Sequence, residues 1–434
     1  MSNPEFTRNL WLSFSIHRLI AMPAILALIF ITTGFANEHG NVATSIHNIA
    51  IALFVFIVWL WGSRNANATI VDELRDKTWD QQRMSALSPW SMAWGKLFGA
   101  TSFNWYGGIM CLVVAWLSGF VANTPDLLTT LLSITAIGVL LHATLIALNL
   151  HTSQFESSVI QRGGIGWLVI IIALILLPSI STKHSELIHW WNMAINPALF
   201  WMDSALLFAA CTTFAAWRVM SNALQVRTMP WAWPTFACIL TIYFTGFFQE
   251  LYNVNMLWIN GLLISLIMTY IALFTESNSL LRWRKLQLLQ ENKNYRGWLE
   301  QLPLWPTTIA LSLFFALLVV ATASNVELIA HSANLYPQYA ITLVLMTLRD
   351  ACVLLFFAFV PNSKRALGAA MLYLLVLNGL LPFFAGVAGL DTLRYFFLPF
   401  EASADPWSSV LVMTIHAALA LGLVNWRLRN SQPA

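Results

Sequence analysis

Eight ionisable side chains crowd into VDELRDKTWDQQRMSALSPWSMAWGKL, Val71–Leu97, in a chain whose charged residues make up only 9% of the total. Placed on a helix, Glu73, Lys77 and Asp80 or Gln81 fall at three- and four-residue spacing, as do Asp72, Arg75, Asp76 and Trp79. That spacing suits i, i+4 charge pairs on an exposed side. Ser88-Pro89 is expected to break the helix, because proline cannot continue the backbone ladder and restricts the residue before it. A second short helix, 90–98, would align Trp90, Trp94 and Phe98 on one face, with Gly95-Lys96 leading into the next apolar run. Charge beside exposed tryptophan makes a surface for gripping a partner rather than a catalytic set. A solvated loop with snorkelling aromatics is the plain alternative; the length, the proline break and the paired tryptophans favour docking.

Other residues with chemical potential are scattered. The tripeptide LRD recurs as Leu348-Arg349-Asp350, and both copies run on to a proline, Pro89 and Pro361. If span ten covers 337–360, Arg349 and Asp350 lie inside the bilayer, where ionisable groups are costly and usually functional. If it starts near Glu327, they lie at the inner surface, and 350–365 forms a second, greasier docking element; the repeat favours this placement. The nine histidines include His142 and His151 near the end of one span and His416 in another, without a facing pair for haem or metal, so packing or an interhelical hydrogen bond is expected. Asp203 and Glu250 fall near the outer surface. Gln249, Asn260 and Asn378 are candidates for a polar substrate path, or join helices by hydrogen bonds. Cys111, Cys211, Cys238 and Cys352 sit in or beside apolar runs without CxxC spacing and read as small buried hydrophobes. The 21 tryptophans and 28 phenylalanines suit lipid-facing packing or an aromatic groove for an amphiphile.

The elements that must position these residues follow from hydropathy. The 434-residue chain is 58% hydrophobic, too apolar for any soluble core, so lipid must solvate much of it. Runs of about 20 apolar residues, the length that crosses a bilayer as helix, recur throughout. Twelve spans are expected, at 19–36, 45–63, 98–122, 127–149, 164–182, 199–220, 233–250, 254–275, 307–324, 337–360, 367–389 and 407–426. The fold class is therefore an all-α polytopic membrane protein, in two six-helix halves, 1–225 and 226–434, with pseudo-two-fold symmetry. With both termini cytoplasmic, the Lys and Arg residues, among them Arg64, Arg83, Lys96, Arg162, Arg227, Lys285, Lys364 and Arg427, fall almost entirely inside; Lys183 and Arg394 are the exceptions, with Arg349 open. This puts 71–97 and the polar insert 277–306 in the cytoplasm. Asn3–Arg18 reads as an interfacial amphipathic helix, and the outer stretches Lys183–Ala198 and Leu390–Trp407 as helices lying in or dipping into the interface.

Taken together, the acidic residue, Arg, Thr, Leu-Ser-Pro and Gly-Lys of the first polar insert resemble the permease subunits of ABC transporters, in the type-2, exporter-type family. The family pattern maps onto Glu73, Arg75, Thr78, Leu87, Ser88, Pro89, Gly95 and Lys96. The resemblance implies an interfacial helix before span one, a coupling helix between spans two and three that docks an ATPase, and re-entrant helices before span six. It extends the docking set to Arg83 and, in a degenerate second copy, to Arg349, Asp350, Lys364 and Arg365. Most such permeases have six spans and dimerise, whereas this chain reads as two fused halves. No GxxxxGK[ST] signature occurs, so ATP and Mg are expected on separate ATPase subunits, two copies of them, with membrane lipids and accessory subunits as further partners and no nucleic acid. The implied role is non-enzymatic: export of a lipid-like or amphipathic substrate across the bacterial inner membrane. An ion-coupled 6+6 secondary transporter is the alternative, although paired mid-span acids are scarce. A lipid-linked glycosyltransferase would need an outer acidic cluster, for which only Asp391, Glu401 and Asp405 stand.

Overall fold

Lipid offers no hydrogen bonds to a backbone, so an apolar run of spanning length has to satisfy its own amides as helix. Among the described residues of the computed structural model, ten helices are long and apolar enough to cross a membrane, which makes this an all-α multi-pass membrane protein. The structure describes residues 3–36, 41–85, 87–153, 187–226, 228–248, 254–276, 278–322, 336–360, 366–398, 400 and 406–430. The chain forms two compact units: Met1–Ile188 with Met193–Thr228, and His189–Asn192 with Met229–Ala434.

The first unit opens with α1 (Pro4–Ser13), whose N-terminus is capped by the Asn3 side chain accepting from the Glu5 and Phe6 amides. Then come α2 (Ile16–Ala36) and α3 (Val42–Arg75). The second of these has 34 residues, about 51 Å at 1.5 Å per residue, against a hydrocarbon core of about 30 Å. Its polar end, Ser63–Arg75, therefore projects past the membrane. Within it, Val55–Gly62 is wound as a π-helix, whose wide turns free carbonyls for side chains on neighbouring helices. Asn104 Nδ2 donates to Ile57 O at 3.0 Å, and His142 Nε2 bonds Val58 O at 2.9 Å. The short helices α4 (Trp79–Arg83) and α5 (Pro89–Trp94) follow, the latter running on as a π turn, Gly95–Gly99. Three long helices follow among the described residues of the unit: α6 (Ser102–Val121), α7 (Leu127–Ser153) and α8 (Pro197–Ala223).

The second unit holds α9 (Ala232–Thr245), α10 (Val254–Thr275), α11 (Leu280–Glu291), α12 (Tyr295–Gln301), α13 (Leu304–Thr322) and α14 (Tyr339–Ala358). After these, α15 (Ala366–Leu375) passes through a π turn, Val376–Leu380, into α16 (Leu381–Val387); α17 (Asp391–Phe397) and α18 (Pro406–Asn430) end the unit. The central helix is α14, packed against α18, α13, α15 and α10.

Three expectations about elements need correcting. The helix entering the first polar insert stops at Arg75 instead of running to Pro89. Lys77 takes a left-handed φ of 57°, and the Thr78 amide bonds back to Glu73 O at 3.0 Å, a Schellman ending that turns Trp79 into the core beside Ile70, Met92 and Leu150. The stretch Lys183–Ala198, expected as a helix, carries two short strands, Ile188–Trp190 and Met193–Ile195. They are joined through Trp191 and Asn192 at φ of 49° and 60°, the paired left-handed residues of a tight hairpin turn. The seventh span, expected over 233–250, is described as the 14-residue α9, and the fifth, 164–182, lies outside the described residues.

Candidate functional site

Two polar centres stand out against the apolar helices, one in each unit. The first is built where α1 crosses the π turn Gly95–Gly99. That crossing is close because two glycines face it: a Cβ at Gly95 would lie 2.7 Å from Glu5 Cβ and 2.9 Å from the Phe6 amide nitrogen, and one at Gly99 2.9 Å from Asn9 Cβ. The approach brings Lys96, with no exposed surface, between two carboxylates. Its Nζ donates to Glu73 Oε2 at 2.5 Å, to Glu5 Oε1 at 3.2 Å and to Gln82 Oε1 at 2.9 Å, and it lies 5.8 Å from the Trp79 ring centroid. Arg8 Nη2 bridges the same carboxylates, 3.1 Å from Glu5 Oε1 and 2.9 Å from Glu73 Oε1. Gln82 Nε2 closes the ring on Glu73 Oε1 at 2.6 Å. Asn9 Nδ2 donates to both Glu5 O at 3.0 Å and Glu5 Oε1 at 3.1 Å, and Asn3 Nδ2 ties the start of α1 to Ser91 O at 2.7 Å. Two acids and two bases cancel, which is what allows them to share a mostly buried site.

Around this core the first insert shows a solvated face. Arg75, Asp76, Lys77, Thr78, Asp80, Gln81 and Ser88 are exposed, and Arg83 and Pro89 are half-buried. Ser88 Oγ caps α5 by accepting from the Ser91 amide at 3.2 Å, with Pro89 at its first position. Trp90 stacks on Trp94 at 6.0 Å, and the Phe98 ring lies tilted against Trp94 at 4.3 Å. A shallow depression of about 310 Å³ lies between Asn3, Trp90, Ser91 and Trp94.

The second centre is in the middle of α14. Arg349 and Asp350 are both 2% exposed, so neither is presented on the surface where docking was expected. Arg349 donates to Asp350 Oδ1 from Nε at 3.0 Å and from Nη2 at 2.7 Å, and Nη2 also bonds Asn378 Oδ1. Asn378 Nδ2 returns to Asp350 Oδ2 at 3.2 Å, and Tyr270 OH donates to the same oxygen at 2.9 Å. The two LRD copies thus occupy unlike places: Arg75 ends a projecting helix, whereas Arg349 is neutralised inside a bundle. The side chains available decide this, because Asn378 and Tyr270 supply the polar lining that an intramembrane ion pair needs.

Of the remaining candidates, Asn260 Nδ2 donates to Thr245 Oγ1 at 3.2 Å and joins α10 to α9. Gln249, Lys364 and Arg365 lie outside the described residues. The structure brings Glu73 and Lys96 together as an internal pair and leaves Arg75, Thr78 and Ser88 at the surface. Sequence reasoning missed Glu5, Asn9, Gln82 and Tyr270, which carry no distinctive spacing. Outside the spans, Glu276 is half-buried where α13 begins, accepting from the Leu304 amide at 2.6 Å beside Arg282 at 3.5 Å. Burial pushes its carboxyl above the usual range, with the guanidinium acting against that shift. No group of three or more His, Cys, Asp or Glu side chains among the described residues has the arrangement to hold a metal ion. No family model, curated protein or solved structure matches the chain.

Proposed function

We propose that the chain is the transmembrane subunit of an ABC transporter of the type-2, exporter-type family. It moves a lipid-like or amphipathic substrate across a bacterial inner membrane, with both termini cytoplasmic, using ATP hydrolysed by two separate subunits. The observation that carries this reading is the braced element between α3 and α6. A motor needs a handle that is exposed where it is gripped and stiff where it transmits force. Residues 75–83 supply exposed charge, while Glu73, Gln82 and Lys96 lock their base to α1 and to the start of α6. Closure of the ATPase pair pushes this element, and α3 and α6 move with it.

The docking role rests on Arg75, Thr78, Arg83 and Ser88, with Glu73 and Lys96 bracing from within. Burial removes Arg349 and Asp350 from it. The direct test is co-purification with a co-expressed ABC ATPase subunit. Arg75→Glu combined with Arg83→Glu is expected to abolish co-purification and substrate-coupled ATP hydrolysis while leaving the thermal unfolding midpoint unchanged; a variant that keeps both activities would rule out the docking role.

A second reading, ion-coupled secondary transport, is favoured by one observation, the buried Arg349–Asp350 pair in mid-helix. It requires the purified chain alone to transport in vesicles under an ion gradient.

A further inference from the structure

Arg349 lies midway along the 20-residue α14. Successive side chains on a helix point about 100° apart, so i and i+1 neighbours do not ordinarily face each other. Here the guanidinium folds back onto its own neighbour, Asp350, and spends only Nε and Nη2 on it. Nη1 is buried and has no hydrogen-bond partner among the described residues. A guanidinium presents donors along more than one edge, each matched to a carboxylate or phosphate. One edge is filled and the Nη1 side is bare, in a part of the chain where lipid cannot supply an acceptor.

The centre is also not sealed. Asn378 and Tyr270 are half-buried, and Gly379 and Leu380, the next two residues on the π turn, are exposed. A Cβ at Gly379 would meet nothing nearer than Leu375 Cδ1 at 3.8 Å. Beyond this gap the surface is apolar, with Phe383 and Phe384 both more than half exposed. A ligand arriving here comes out of lipid, tail against aromatic rings and head toward Asn378.

We propose that Arg349 binds the oxyanion head, carboxylate or phosphate, of an anionic amphiphile whose tail lies along Leu380, Phe383 and Phe384. Asp350 holds the guanidinium when the site is empty and opposes the ligand when it is full, since the pair alone is already neutral. Tyr270 and Asn378 keep Asp350 in place from two other helices. Binding at this site needs no ATPase; its role as the cargo's head-group site rests on the transport reading above.

The test uses the purified full-length protein in an uncharged maltoside detergent, following thermal unfolding against added dodecyl phosphate. Saturable stabilisation is expected for the wild type, with the half-saturating concentration raised at least about tenfold in Arg349→Gln, the loss of one charge-assisted contact. Asp350→Asn, which keeps the shape and removes the opposing charge, is expected to lower it several-fold. This second variant decides the matter if Arg349→Gln does not fold. Inorganic phosphate alone is expected to give no saturable shift, and a shift from it that depends on Arg349 would overturn the amphiphile in favour of a free oxyanion. Equal responses of wild type and Asp350→Asn, or an equal response to an uncharged dodecyl glycoside, would overturn the site. Loss of ATPase co-purification bears on the transport reading and leaves this result standing.

Discussion

A lysine without exposed surface is the residue whose environment says most about the first insert. Its charge is tolerable because Glu5 and Glu73 both accept from it, and Gln82 Oε1 accepts a third hydrogen bond. Removing the lysine leaves the two carboxylates of Glu5 and Glu73 with Arg8 as the one cation that touches both among the described residues. Breaking a buried pair from one side costs about 3–5 kcal/mol. Arg8 touches the same carboxylates but is 43% exposed, so its contacts are screened and contribute about 1 kcal/mol or less. Lys96→Met, which keeps the apolar stem, is therefore expected to lower the thermal midpoint in detergent far more than Arg8→Gln. Similar losses in the two variants would show that the centre is wetter than its burial indicates. Gly-Lys entering a span was legible in the sequence, as part of the docking pattern. Its partner on α1 was not, because Glu5 lies 91 positions away and no local spacing announces the contact.

Among the elements, the lengths of most helices were readable and many of their ends were not. A run of apolar residues sets where a span must be, but the stop depends on turn chemistry. Glycine commonly marks a Schellman ending, yet Lys77, Asn123, Gln225 and Lys293 occupy the left-handed position at four such ends, and among the described residues glycine takes it only at Gly389. Each non-glycine there costs about 1–2 kcal/mol, so burial of the next side chains, as with Trp79, decides the turn. Proline at Pro89 starts a helix here instead of ending one. The seat of α1 was equally hidden: Gly95 and Gly99 look like loop residues, but small groups four apart let two backbones approach. Gly95→Leu has to push against the Phe6 amide, 2.9 Å from the Cβ position, which is backbone and cannot swing aside. We expect α1 to lift, with amide exchange accelerated over 4–13 and unchanged in the interior of α6. Continued protection of α1 in this variant would mean that the glycines do not set the crossing.

For the whole molecule, orientation rests on the charge bias of the loops, and it can be checked against the described spans. α6 crosses between Met84 and Asn123, so these two residues lie on opposite sides of the membrane. In the second unit, α13, α14 and the Gly368–Val387 span separate Lys293 from Leu390, an odd number of crossings that again gives opposite sides. The positive-inside rule predicts the inner side for Met84 in the first unit and, separately, for Lys293 in the second. Single cysteines at Met84, Lys293, Asn123 and Leu390 settle this in a background with Cys111, Cys211, Cys238 and Cys352 replaced. With a membrane-impermeant maleimide, intact cells are expected to label Asn123→Cys and Leu390→Cys, and Met84→Cys and Lys293→Cys only after permeabilisation. Labelling of Met84→Cys or Lys293→Cys from outside would overturn the orientation read from the charge of that unit's loops.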